Sequence, residues 1–346
     1  MRFPSVTLLV TVKNSKNTIV NCIKSLLKLN YPNYRIYVTD AFSTDGTYEI
    51  LKNLQKRYPR KIMLERVEGN IATAHNHMIR KVKTQFVAMT DADCVVDKNW
   101  LKNLIAGFDS NEIIATAGFN STPRAVNTLQ YLIGKEFEDR FRHAPKFIPR
   151  APTMNLCVRT RFAKQVKFDE RFDVAQEVDW GYRLTKIGKM KYVPKAVVYH
   201  YHRPTWKSYF KQMFRYGMHT PLLYTKHPYY ATGDYNSKPI YFREEFVFVF
   251  SLFTLTLLLL LEFLSSFTSL LSLLSFNLLM FVSPLFILFY ISTAFLFVLY
   301  FLEAISLTKN LKEIFLFFLM FFVRNVAWTM GLIFGIFKLI FVWWRK

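Results

Sequence analysis

Cysteines, acidic residues and, over long stretches, charge of any kind are scarce in this 346-residue chain. The three cysteines are Cys22, Cys94 and Cys157. They form neither a disulfide framework nor a cysteine-based metal spacing, and they fit a reducing compartment. Acids number 24 against 46 lysines and arginines. No zinc-finger, helix-turn-helix or RNA-recognition pattern accompanies this basic excess, which argues against nucleic acid. An anionic membrane surface and phosphate-bearing ligands remain as partners. No signal-peptide pattern opens the chain, so residues 1–245 are expected to stay in the cytoplasm. No long internal repeat or disordered low-complexity tract is present.

Charge is absent altogether from 246–261 and 263–302. Residues 246–346 carry six basic and three acidic side chains, which leaves a net +19 on the first 245. A hydrocarbon core takes about 20 residues to cross. The sequence predicts one span near 246–264, an outer turn around Ser265–Asn277 and a return span near 278–302. Lys309 and Lys312 then face the cytoplasm, and Lys338, Arg345 and Lys346 favour a cytoplasmic end. Arg324 interrupts 314–342. Two re-entrant halves, an interfacial helix and a third span are all open there. The domain reading is 1–203 catalytic (1–97 and 98–203 as halves), 204–245 juxtamembrane and 246–346 membrane, with two to three spans.

In the first half, apolar strands alternate with helices. Val6–Val12, Arg35–Thr39, Ile62–Glu65 and Phe86–Met89 read as strands. Ile19–Leu27, Tyr48–Tyr58 and Asn70–Lys83 read as helices, with Ser43–Thr47 capping the second. Such alternation predicts an α/β fold, a mostly parallel sheet with helices on both faces. Ligands in such sheets sit beyond the carboxyl ends of the strands. Asn14, Asp40, Asp91 and Asp93 fall at such ends. Asp91 and Asp93, one residue apart, are hard oxygen donors suited to Mg2+ or Mn2+ carrying a diphosphate.

These segments resemble family 2 glycosyltransferases of the GT-A fold. The matching pieces are Thr11-Val12-Lys13-Asn14-Ser15, Asp40 to Thr47 (family D-[DN]-x-S-T-D-G-T), Ala74-His75-Asn76 (family A-R-N) and Asp91-Ala92-Asp93. Thr11 and His75 depart from the family's Pro and Arg, and the second departure puts a donor-diphosphate contact in question. The resemblance implies that Asp40 accepts a hydrogen bond from the base, Asp91 faces the ribose and Asp93 ligates the metal. It further implies a nucleoside-diphosphate sugar as donor.

In the second half, Lys98–Phe108 and Val126–Arg142 read as helices, and Ile113–Gly118, Thr153–Val158 and Tyr192–His200 as strands. Ala144–Pro152, with Lys146 and Arg150, reads as a loop, more often merely solvated than phosphate-reaching. Phe168–Phe172 and Gln176–Leu184 resemble the family's F-D-E-x-F and E-D-x-D-L-x-x-R-L. Glu177 stands at the family's base position, and drawing a proton off a sugar hydroxyl requires such a carboxylate. By themselves Glu177 and Asp179 also suit a helix N-terminus. Two residues apart on a helix they point different ways, so one base and one structural partner are expected. His200 matches a family His after the strand, a third metal ligand or diphosphate contact.

Pro204–Met218 reads as an amphipathic helix with a Lys207, Lys211, Arg215 row, suited to a bilayer surface. Gln212–Tyr216 resembles the Q-x-x-R-W motif of membrane polysaccharide synthases, which would place Gln212 and Arg215 near donor and acceptor. Together these features predict a multi-pass enzyme of the cell membrane with a cytoplasmic catalytic domain. It would transfer sugar, with inversion and a metal, to a hydroxyl of a lipid-linked (polyprenyl or dolichyl) acceptor. A polyprenyl-phosphate monosaccharide synthase, a processive polymer synthase and a non-enzymatic membrane scaffold are the rival readings.

Overall fold

The computed structural model describes residues 3–228, 232–268 and 275–343. The chain divides into two compact units. One comprises Met1–Tyr209, His219–Tyr229 and Asp234–Asn236; the other comprises Phe210–Met218, Tyr230–Gly233 and Ser237–Lys346.

The first unit is built on eight strands: β1 (Val6–Val12), β2 (Tyr34–Asp40), β3 (Ile62–Arg66), β4 (Phe86–Asp91), β5 (Cys94–Val96), β6 (Ile113–Ser121), β7 (Leu156–Arg159) and β8 (Lys189–His200). They form one sheet in the order β3-β2-β1-β4-β7-β6-β8-β5. Strands β1 to β4 pair in parallel. Strands β6 and β8 also pair in parallel, while β7 runs antiparallel to both β4 and β6, and β5 antiparallel to β8. The sheet is therefore mixed. Each antiparallel pair joins segments far apart in the chain.

Continuous apolar runs in β1 and β4 reflect burial on both faces. Val6, Leu8, Val10 and Val12 pack on one side with Ile19, Ile23 and Trp100, while Leu9 packs on the other with Met78, Ile79 and Trp180. Helices α1 (Ile19–Leu27), α2 (Thr47–Arg57) and α4 (Trp100–Ala106) contribute to the first core. The second takes in α3 (Ile71–Lys81), α6 (Thr160–Gln165) and α7 (Gln176–Thr185). Helix α5 (Thr128–Arg142) starts in a capping box from Asn127 and Gln130. One local expectation changes. Thr153–Asn155 is a 3-10 turn, with the strand beginning only at Leu156. Asn155 there spends its amide on the Phe119 and Ala196 carbonyls and accepts from Trp100, which a regular strand residue facing one side does not do.

Helix α8 (Trp206–Lys226) is longer than its amphipathic signal and keeps Pro221 inside. Its residues 210–218 cluster with α9 (Pro239–Thr268), α10 (Ser275–Leu307) and α11 (Leu311–Trp343) in the second unit. These three are long and apolar enough to cross a membrane. Part of the expected outer turn, 269–274, lies outside the described residues. Helix α11 is unbroken, which removes the reading of two separate halves.

Candidate active site

Register brings the first candidates together. Val12 of β1 lies opposite Asp40 of β2, and Thr11 opposite Asp91 of β4. Asp40 and Asp91 are therefore two strand spacings apart, about 10 Å, at one edge of the sheet. Among the described residues, the non-glycine residues with positive φ are Asn14 (50°), Phe42 (53°) and Ala175 (61°). All three stand in segments beside the candidate side chains, a place where backbone strain tends to be stored.

The loop after β2 does not cap α2 with its hydroxyls, as expected. Gly46, at φ 91°, takes the cap position without a side-chain bond. The side chains reach instead across to the loop after β1. Ser43 Oγ accepts from the Asn14 amide (2.9 Å), Thr47 Oγ1 from the Ser15 amide (2.9 Å) and Asp45 from the Lys16 amide (3.1 Å). Asn14 Oδ1 in return accepts from the Thr44 amide at 2.9 Å. Asn14 is thus a strut of the crevice wall.

Asp40 is fully buried. Its Oδ2 accepts from the Ser43 amide (3.0 Å) and from Arg66 (3.4 Å), while its buried Oδ1 has no partner. An unpaired buried carboxylate oxygen is costly, and it has an acceptor position to offer a hydrogen-bond donor. Beside it Phe42 is half exposed, and the Arg66 guanidinium lies over the Phe42 and Tyr48 rings. Asp91 Oδ1 is likewise buried and unpaired. Burial, Asp93 and the Glu177 charge push the Asp91 pKa up to about 7, against His200 and Arg203.

Asp93 stands on the turn between β4 and β5. Cys94 pairs with His200 across the β5–β8 ladder, which sets His200 Nε2 3.5 Å from Asp93 Oδ1. Arg203 approaches the other oxygen at 4.0 Å. Burial raises the Asp93 pKa, but His200 and Arg203 outweigh it and hold it at about 2. Asp93, Cys94 and His200 have ligand atoms within 4.8 Å of one another. Asp91, expected as a ligand, lies outside that group; its carboxylate is tucked in at the strand end, whereas Asp93 faces the turn.

On the acceptor side, His75 does not replace the family's Arg as a contact. It is buried and stacked on Phe168 at 4.9 Å, and burial lowers its pKa to about 4. Asn76 clamps the same loop, bonding the Phe168 amide and carbonyl (both 2.9 Å) and Glu170 (2.8 Å). That clamp leads into α7. Glu177 is half-buried, with a pKa raised by burial. Asp179 is fully buried and engaged by Arg183 (2.6 Å), Lys226 (2.6 Å) and His227 (3.0 Å). Burial pushes its pKa up, but these partners hold it below the usual range. Of the pair, Glu177 has the uncommitted carboxylate. Arg150 is buried rather than solvated, in a two-point pair with Asp234 (2.6 and 2.9 Å).

Residues 7–171 match the family model described as Glycosyl transferase family 2. Just under half of the chain is thus similar to that family. Beta-monoglucosyldiacylglycerol synthase of Nostoc sp. is 31% identical over 115 residues, 32% of this chain and 25% of that protein. Chondroitin synthase of Pasteurella multocida is 22% identical over 201 residues, 56% and 20% respectively. The matches thus span a quarter or less of the length of these relatives. A mannosyltransferase from Pyrobaculum calidifontis, solved with GDP-Man and Mn2+, has a similar fold. It shares 18% identity, with a TM-score of 0.52 over 68% of this chain and 66% of that one. The fold of this stretch is therefore GT-A.

Gln212 and Arg215 lie on α8 in the second unit, where Gln212 donates to the Tyr216 hydroxyl at 3.4 Å. Sequence reasoning missed Phe42, Arg66, Arg203 and Cys94. A cation closing β3 opposite Asp40 and the Arg after two histidines were the available signals.

Proposed function

We propose that the chain transfers a glycosyl group from a nucleoside-diphosphate sugar to a hydroxyl of a lipid-linked acceptor at the cytoplasmic face of a membrane, with inversion and with a divalent cation. The observation that carries this reading is the pair of buried, unpaired carboxylate oxygens, Asp40 Oδ1 and Asp91 Oδ1, on one sheet edge with Asp93, His200 and Glu177. Asp40 Oδ1 accepts a base N–H, and Asp91 Oδ1 accepts a ribose hydroxyl. Phe42 offers a ring face to the base.

Asp93 and His200 are an oxygen and a nitrogen donor suited to Mn2+ or Mg2+. When bound, the ion neutralises charge on the leaving diphosphate. Arg203 adds a fixed positive charge beside Asp93. Glu177 takes the acceptor hydroxyl proton while that oxygen bonds to the anomeric carbon and the bond to the diphosphate breaks. In-line attack inverts the centre. Burial raises the Glu177 pKa, which makes its carboxylate a stronger base. Asp179 holds the start of α7 through its ion pairs. The apolar helices anchor the site at a bilayer, which raises the effective concentration of a lipid-borne acceptor.

The test is nucleotide release from UDP- and GDP-sugars with Mn2+ and membrane lipid extract, using the full chain, Asp93→Ala and Glu177→Gln. Release that needs metal and lipid, and falls by about 10²–10⁴ in Glu177→Gln, is expected. Full activity of Glu177→Gln would point to an acceptor that is already ionised, such as a polyprenyl phosphate.

A further inference from the structure

Length and composition make α11 look like a third span, but its contacts describe another course. Helices α9 and α10 run side by side, with Ser251 Oγ 2.8 Å from Ser292 Oγ, so Phe248 is level with about Phe295 and Glu244 with about Leu299. A span following α10 back across the membrane would meet lower-numbered residues of α10, and higher-numbered residues of α9, as its own numbers rise.

Neither drift occurs. Phe318 stacks against Phe297 and meets Tyr300 edge-on, Phe321 meets Tyr300, Asn325 donates to the same Tyr300 hydroxyl (2.8 Å), and Arg324 reaches Glu303 (3.0 Å). On α9 the sequence is Phe322 to Phe248, Arg324 to Glu244, then Trp328 to Phe242 and Thr329 to Glu245. From Phe318 to Thr329 α11 advances about 16 Å along its axis. Throughout, it stays against one band, the first turns of α9 and the last turns of α10. It crosses the mouth of the hairpin.

Two further observations agree. Arg324 lies near the middle of α11. In a span it would sit near the bilayer centre, where charge is expensive. Against Glu244 in the second turn of α9 and Glu303 near the end of α10, it is instead close to the membrane boundary. Lysines also stand toward both ends of α11, with Lys309 just before it, Lys312 in its first turn and Lys338 in its last two turns. A span would split them across the membrane, against the bias of short loops.

We propose that α11 lies along the cytoplasmic bilayer surface, wedged between headgroups and acyl chains, so that the chain crosses the membrane twice. The partner of its free face is lipid. Phe315, Phe322, Met330, Phe334, Phe337 and Phe341 are exposed there. The opposite side is taken by protein. A Cβ on Gly331 or Gly335 would strike the backbone of α8 at Phe214 or Met218, and one on Gly217 would strike Trp328. This backbone-close packing couples α11 to the stretch of α8 that exposes Lys211 and Arg215. The two helices present apolar rings to acyl chains and cations to anionic headgroups.

The test uses the full chain in sealed vesicles of known orientation. Lys309→Cys and Lys338→Cys are labelled with a membrane-impermeant maleimide, with the wild type as blank because its three cysteines are buried. Labelling of both from the same side is expected; labelling from opposite sides overturns the proposal. Nitroxides on Leu319→Cys, Met330→Cys and Phe341→Cys then report depth. Similar shallow depths are expected. A progression approaching the roughly 33 Å that 22 helical residues span, or a middle label deeper than both ends, also overturns it.

Discussion

Asp40→Ala isolates the nucleotide-binding part of the mechanism. In the free protein Asp40 Oδ1 is buried with nothing to accept from, while Oδ2 already serves the Ser43 amide and Arg66. A base N–H arriving at Oδ1 forms a hydrogen bond to a charged acceptor that has already lost its water. Such bonds contribute about 1.5–3 kcal/mol, which is about 10- to 150-fold in affinity. Titration calorimetry of UDP and GDP against the full chain in nanodiscs measures it. Ala also strands the Ser43 N–H, which costs roughly 1–3 kcal/mol of local stability. Asp40→Asn separates the two effects: its carbonyl oxygen can keep the Ser43 bond while its NH2 faces the incoming N–H. The Asn variant should therefore lose affinity to a similar degree and stability less. Binding within about threefold of wild type in both variants, with thermal unfolding unchanged, would refute the assignment of Oδ1 to the base.

Asp179→Asn should destabilise the first unit by about 3–5 kcal/mol, because Arg183, Lys226 and His227 lose a buried counter-charge; denaturant unfolding reads this. Since folding lowers the Asp179 pKa, the contribution is present above about pH 4 and fades as pH falls further, so wild type and variant should converge in acid. His75 titrates with the same sign for a different reason. Burial lowers its pKa from 6.5 to about 4, so its stabilising share is full above pH 6.5. Up to about 3 kcal/mol is lost between there and pH 4. His75→Gln should flatten that part of the pH–stability curve, and an unchanged slope would show that His75 is not its source.

The sequence alone determined the alternation of strands and helices, the strand-end acids and the apolar tail. These are local properties: periodicity, the residue types at strand ends and the run lengths of uncharged residues. Asp40, Asp91 and Asp93 were legible because a parallel sheet gathers its carboxyl ends at one edge whatever the details of packing. What only the tertiary structure decided is which partner each side chain finds. The antiparallel entry of β7 and the extra strand β5 depend on pairing between distant segments, and β5 is what sets His200 against Asp93. Glu177 and Asp179 look equivalent in sequence. They separate only because Lys226 and His227, some fifty residues on, close over one of them. The Ser43–Thr47 hydroxyls and Arg150 read as solvent-facing or capping groups until the loop after β1 and Asp234 claim them. Helix α11 shows the limit most clearly. Its composition gives its length and apolarity, but its direction relative to α9 and α10 is fixed by Tyr300, Glu244 and Glu303, contacts that no window along the chain contains.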